Sequence, residues 1–363
     1  MPAPTTAEQH RSLRPPPAAS RLPFYLALAY GALIVYASLH PFYGWRDPNL
    51  PVFYFLDAGW PRYWTGFDLI INILAYLPLG FFVTLTPRAS GRRWRSALAA
   101  IVLGALLSFS LETLQTWLPT RVASNLDLAS NALGGGIGAL LALLLGKRFF
   151  SFVDLLQRRL LAPIHNAEYG LILVSLWLLT QLSPETFLFG AGDLRQLLDL
   201  APVVPYAAHS FFAIETGIII CNFVAIGLIT RTLLASGFRP NLALLIFFAL
   251  ALVIRSLAAI ILVDPINAFA WLTPGAGLGL LTGAAVLTLS FLLPPPLRIA
   301  FAGLALMAGT VLVNITPPNP YSAAALATWR QGHFLNFNGL TRLVASVWPF
   351  LALPYLIVLG RKL

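Results

Sequence analysis

Three apolar stretches of this chain carry polar side chains at helical spacing. Asp68, Asn72, Tyr76 and Gly80 recur every four residues, and Gly104, Ser108, Glu112 and Gln115, like Asp127, Asn131, Gly134 and Gly138, recur every three or four. Residues three or four apart share one helix face, so each stretch presents a single polar stripe. Carboxylates and amides grouped in this way accept hydrogen bonds from sugar or ammonium groups, and Arg121, between the second and third stretches, can meet phosphate or carboxylate. Plainer roles stand beside these. Ser124-x-x-Asp127 and Thr65-x-x-Asp68 fit helix capping boxes. Asn72, Gln115 and Asn131 suit interhelical hydrogen bonds, and Gly134 and Gly138 suit close helix packing. Glu112 lies near no helix start, which leaves a ligand or proton site, or an ion pair with Arg121 or another cation.

The elements that must position these stripes are membrane helices. Of 363 residues, 58% are hydrophobic and 10% are charged, whereas a soluble domain carries about 25% charged residues. A spanning helix needs about 20 apolar residues. Ten segments qualify, near 23–40, 67–86, 96–118, 126–146, 168–189, 207–230, 241–263, 273–293, 297–315 and 340–359. The expected fold is an all-α membrane protein of about ten transmembrane helices. Pro294, Pro295 and Pro296 forbid a continuous helix between the eighth and ninth segments. With the N-terminus inside, sixteen of the 23 lysines and arginines fall on cytoplasmic segments, six fall outside, and Arg255 lies within a span. That asymmetry orients the chain with both termini cytoplasmic. It also assigns the net charge of +10 to anionic lipid rather than nucleic acid. Residues 1–21, rich in Pro, Ala and Arg, read as a disordered cytoplasmic tail. The first segment reads as a retained span, with a cleaved signal as the alternative suggested by Ala37-Ser38-Leu39. In this orientation Glu112 lies roughly 9 Å below the outer end of its helix, and Asn72 and Asn131 roughly 6–8 Å below theirs. The polar groups then gather in the outer half of the membrane.

Segments one to four resemble segments five to eight in layout. Asp68 falls on Glu215 at an offset of 147, Gly134 and Gly138 fall on Gly279 and Gly283 at 145, and Pro41 falls on Pro184 at 143. Four spans is an even number, so the two copies share an orientation and form a parallel repeat. The second copy has lost most of the polar set: Leu257 stands where the first has Glu112. It keeps Glu215 and adds Arg255 at matching depth, which predicts a buried structural ion pair between them, with Glu112 as a rival partner for Arg255. A lone buried arginine is the costly alternative.

Asn72 with Pro78-Leu79-Gly80-Phe81, Glu112-x-x-Gln115, Pro119-x-Arg121, and Asp127-x-x-x-Asn131-x-x-Gly134-x-x-x-Gly138 together resemble the VanZ-like family, whose namesake is associated with teicoplanin resistance. The resemblance covers residues 67–146 and the first segment by position. It implies a bacterial cytoplasmic-membrane protein of the cell envelope. The organisation expected is a VanZ-like four-helix domain at 22–146, a basic cytoplasmic linker at 147–167, a degenerate second repeat at 168–293, and a C-terminal helical hairpin with an outer loop at 294–363.

Other chemistry leaves no motif. There is no HExxH, Walker A loop or GxSxG, and His10, His40, His165, His209 and His333 have no metal-ligand spacing. Cys221 is the single cysteine, so no disulfide framework is possible; no cofactor or metal is expected. The aromatic segment 41–66 suits the headgroup interface or a cover over the outer face, and 316–339 suits a second cover. The leading reading is a non-enzymatic envelope protein. Asp68, Asn72, Glu112, Gln115, Arg121, Asp127 and Asn131 would bind a lipid or glycolipid headgroup or a lipid-linked envelope precursor. The alternatives are a transporter or lipid flippase with Glu112 as a proton-coupled carboxylate, and a lipid-modifying enzyme using Glu112 and Asp127 as acid and base.

Overall fold

The computed structural model describes residues 21–40, 42–59, 66–86, 93–164, 166–183, 185–195, 198, 203–235, 239–262, 265–317 and 335–361. Among them the chain forms eleven α-helices, one 3-10 turn and no strand beyond a single bridge. The helices are α1 (Leu22–Leu39), α2 (Tyr54–Asp57), α3 (Gly66–Leu85), α4 (Arg93–Gln115), α5 (Asn125–Leu160), α6 (Ala167–Thr180), α7 (Ala208–Leu233), α8 (Pro240–Leu262), α9 (Pro274–Ser290), α10 (Pro295–Ile315) and α11 (Leu335–Gly360). Proline stands in the first turn of α1, α9 and α10, where its missing N–H costs no helical bond. The protein is an all-α membrane protein.

Each of the ten expected spans coincides with a helix, but among the described residues eight are long and apolar enough to cross a membrane. The other two, α6 and α9, have 14 and 17 residues. The expectation of a span over 168–189 is corrected at its second half: α6 stops at Thr180, ahead of Pro184. The apolar residues Phe187, Leu188, Phe189 and Ala191 are buried in irregular backbone instead. Such backbone is tolerated at membrane depth when protein surrounds it. Nor is 147–167 a simple linker, because α5 runs on unbroken to Leu160.

Two crossings organise the molecule. In the N-terminal half α3 packs along α5 at glycine: a methyl on Gly134 would strike the Ile73 carbonyl, and one on Gly138 the Leu77 carbonyl and the Phe81 amide. In the C-terminal half α7, the most enclosed helix, packs along α9, where Gly279 meets Ile219 and Gly283 meets Phe223. The strongest crossing therefore joins the second and fourth spans in both halves. The third spans differ. α4 packs along α5, whereas α8 sits at the rim and α10 takes the place beside α7. The main core surrounds α7 and contains Trp177, Phe189, Phe223 and Phe248, the last two stacked with centroids 3.9 Å apart. α1 joins the halves: the Arg21 N–H donates to Glu168, Tyr25 meets Tyr169, and Gly339 of α11 lies against Tyr36 and His40. The tail expected at 1–21 and most of the outer loop expected at 316–339 lie outside the described residues.

Candidate functional site

The polar stripes of α3, α4 and α5 do face one another, at the end of the bundle where α1 and α4 finish and α3 and α5 begin. Glu112 is only 3% exposed. Its Oε2 accepts from the backbone N–H of Ser124 at 2.9 Å. Ser124 is the residue before α5, and its Oγ accepts from the N–H groups of Leu126 and Asp127 at 3.2 and 3.4 Å. In a capping box the third helical residue would bond back to the N–H of the cap. Here Glu112, from a neighbouring helix, takes that donor. Asp127 is thereby released, and its Oδ1 accepts from Asn72 Nδ2 at 2.8 Å, linking α5 to α3.

Asp127 is also the hub of a like-charge group. Both Asp68, exposed at the start of α3, and Glu112 lie within electrostatic range of it. The described ion pairs, Arg195–Asp193 and Arg342–Glu185, involve neither Glu112 nor Asp127. One turn deeper, Asn131 Nδ2 donates to Ser108 Oγ at 3.0 Å, and Ser108 is hydrogen-bonded to Tyr76. Asn72, Glu112 and Asp127, with Asn131 one turn deeper, thus line one polar seam beside Asp68. Ser108 and Tyr76 complete it, and both were visible on the same stripes. The capping box at Thr65 falls outside the described residues.

Gln115 and Arg121 are oriented elsewhere. Gln115 Nε2 donates to the Ser38 carbonyl at 3.1 Å, and an Arg121 Nη donates to the carbonyls of Ala37 and His40 at 2.9 and 3.3 Å. These are last-turn and cap carbonyls of α1, which have no donor within the helix. A guanidinium there also opposes the negative end of the helix dipole. Partial burial lowers the pKa of Arg121. The two residues position α1 rather than line the seam.

In the second half the expected Glu215–Arg255 pair is replaced by two separate arrangements. Glu215, 4% exposed, is hydrogen-bonded to Thr273 and lies against Gly275. Arg255 donates to the carbonyls of Ser183 and Thr186 and, at 3.2 Å, to Thr186 Oγ1. The cause is the early end of α6, which leaves carbonyls without helical donors beside the guanidinium. Glu112 does not meet Arg255 either.

The described part of the aromatic segment is tied to α4, to the turn after it and to the start of α5. Phe55 of α2 is fully buried near Phe109 of α4, Asn125 Nδ2 donates to the Ala58 carbonyl at 2.7 Å, and the Arg46 N–H donates to the Trp117 carbonyl at 3.0 Å. Among the described residues no group of three or more His, Cys, Asp or Glu side chains is arranged to hold a metal ion.

Fold and site define a multi-pass α-helical membrane protein whose N-terminal four spans enclose a polar seam. Residues 14–146 match the family model described as VanZ/LLP1. The match takes in α1 as well as the three striped helices, and over that segment the chain is similar to the family. No curated protein and no solved structure matches the chain.

Proposed function

We propose that the VanZ-type unit binds the polar headgroup of an outer-leaflet lipid or a lipid-linked envelope precursor through Asp68, Asp127 and Glu112. The protein resides in the bacterial cytoplasmic membrane as part of the cell envelope, with both termini cytoplasmic and the seam toward the exterior. The observation that carries this reading is the crowding of three carboxylates at the ends of three helices. Among the described residues, two of them, Glu112 and Asp127, are held by neutral donors, the Ser124 N–H and the Asn72 amide. Buried like charges are costly without compensation. An ammonium or hydroxyl-rich headgroup supplies donors of the right kind. Arg121, engaged by α1, drops out as the phosphate contact, so the chemistry favoured is cationic or polyhydroxyl.

The test separates binding from folding. Glu112→Gln keeps an acceptor for Ser124, and Asp127→Asn keeps one for Asn72, while each removes a charge. Both variants should purify at normal yield, lose co-purifying lipid in native mass spectrometry, and alter sensitivity to envelope-directed antibiotics at equal expression. Unchanged lipid retention and sensitivity in both variants would end the proposal. A proton-driven flux in vesicles that vanishes in Glu112→Gln would instead establish transport.

A further inference from the structure

α5 is 36 residues long, yet its apolar membrane window ends at Gly146. The remaining turns, 147–160, extend about 21 Å at 1.5 Å per residue. Two observations fix where they run. Phe149 still meets Phe81 near the end of α3, with centroids 5.4 Å apart. At the far end, Leu161 bridges Leu234, and the Ala162 N–H donates to the Leu233 carbonyl at 2.7 Å. Leu233 closes the apolar window of α7. Both ends of the extension are therefore tied to the same end of the bundle, the end where Arg231 and Arg298 also come within electrostatic range of each other. An extension leaving along the membrane normal would carry Leu161 away from that attachment.

Its composition is that of a surface-lying helix. Phe149, Phe152 and Leu155, spaced three apart, are 43%, 62% and 51% exposed, and Arg148 and Arg159 are exposed near the two ends. The sequence from Lys147 to Leu160 holds four basic residues, Lys147, Arg148, Arg158 and Arg159, against one acid, Asp154. A helix with an apolar face and basic flanks seats that face at the headgroup–acyl boundary of an anionic leaflet.

We propose that 147–160 is an interfacial helix that binds anionic lipid on the leaflet opposite the carboxylate seam. Phe152 and Leu155 insert below the headgroups and the basic residues hold lipid phosphates. It does not depend on the headgroup reading of the seam. In full-length protein carrying Cys221→Ser, Phe152→Cys is labelled with an environment-sensitive fluorophore and reconstituted into vesicles of phosphatidylglycerol and phosphatidylcholine. Blue-shifted emission, quenched more by shallow than by deep spin-labelled lipid, is expected. Water-like emission without quenching would mean that the face is open for a protein partner, and deeper quenching would mean a buried span; either overturns the proposal. Arg148→Gln, Arg158→Gln and Arg159→Gln combined should reduce the preference for phosphatidylglycerol over phosphatidylcholine in native mass spectrometry by about fivefold per charge, from ~1 kcal/mol each. An unchanged preference would remove the anionic-lipid assignment.

Discussion

The two halves use the same crossing for different ends. In the first, α3 and α5 meet backbone to backbone and carry two polar contacts, Asn72 with Asp127 and, through Ser108 of α4, Asn131 with Tyr76. In the second, α7 and α9 meet mainly through side chains, and the polar contacts are Glu215 with Thr273 and Thr216 Oγ1 donating to the Gly275 carbonyl at 3.2 Å. Close backbone approach brings polar groups on two helices within reach of each other, whereas filling the crossing with Ile219 and Phe223 makes it a dry support. The comparison teaches that one kind of helix crossing can carry a polar seam in one place and an apolar support in another.

The largest expected effect tests that difference in packing. Gly138→Ala places a methyl against the backbone of Leu77 and Phe81, which cannot yield without separating the helices. The loss should be about 3 kcal/mol or more, the upper end for overpacking, read as collapse of the monodisperse peak in heated detergent extracts. Gly283→Ala meets the Phe223 side chain at 3.2 Å, which can shift, and should cost about 1 kcal/mol. Equal losses would erase the distinction between the two crossings.

A smaller effect concerns a device that both halves share. Arg121 binds the carbonyls of Ala37 and His40 at the end of α1, and Arg255 binds those of Ser183 and Thr186 in the irregular backbone after α6. The two arginines thus serve carbonyls that lie at or beyond a helix end and have no helical donor. Arg255→Ala should cost about 3 kcal/mol, since hydrogen bonds to charged groups are worth about 1.5–3 kcal/mol each. Arg121→Ala, in a half-exposed loop where water can replace it, should cost about 1 kcal/mol, and Arg239→Ala, on an exposed loop, nothing measurable. Folded yield at matched expression reads all three. Parity of Arg255→Ala with Arg239→Ala would remove the capping role.

The same arginines mark where sequence reading reaches its limit. Helix positions were legible because apolar runs and proline stops are local properties, and the seam was legible because Asp68, Asn72, Glu112, Asp127 and Asn131 repeat at helical spacing. Gln115 and Arg121 share that spacing or its neighbourhood, yet point to carbonyls of α1, and a backbone acceptor has no residue type to betray it. Arg255 was matched by depth to the nearest acid, although its acceptors arise only because α6 ends at Thr180. Asp127 was a plausible partner for the Ser124 N–H until Glu112, from another helix, took that donor.

The smallest effect is the most specific to the comparison. A double-mutant cycle on Asn72→Ala and Asp127→Ala isolates the α3–α5 contact, and one on Glu215→Ala and Thr273→Ala isolates the α7–α9 contact. Interhelical hydrogen bonds in membranes are worth about 0.6 kcal/mol, with a maximum of about 1.7. The first coupling should fall toward the upper value, because Asp127 also feels Glu112 and Asp68 and the Asn72 amide is its described donor. The second should fall near the mean, because Thr273 also accepts from the Ala276 N–H and retains a structural task as the cap of α9 without Glu215. Adding Glu112→Gln to the first cycle sharpens the point: relief of repulsion should lower the coupling, since Asp127 then depends less on Asn72. A coupling indifferent to Glu112 would mean that the carboxylates act separately, and the first half would then differ from the second only in how closely its helices pack.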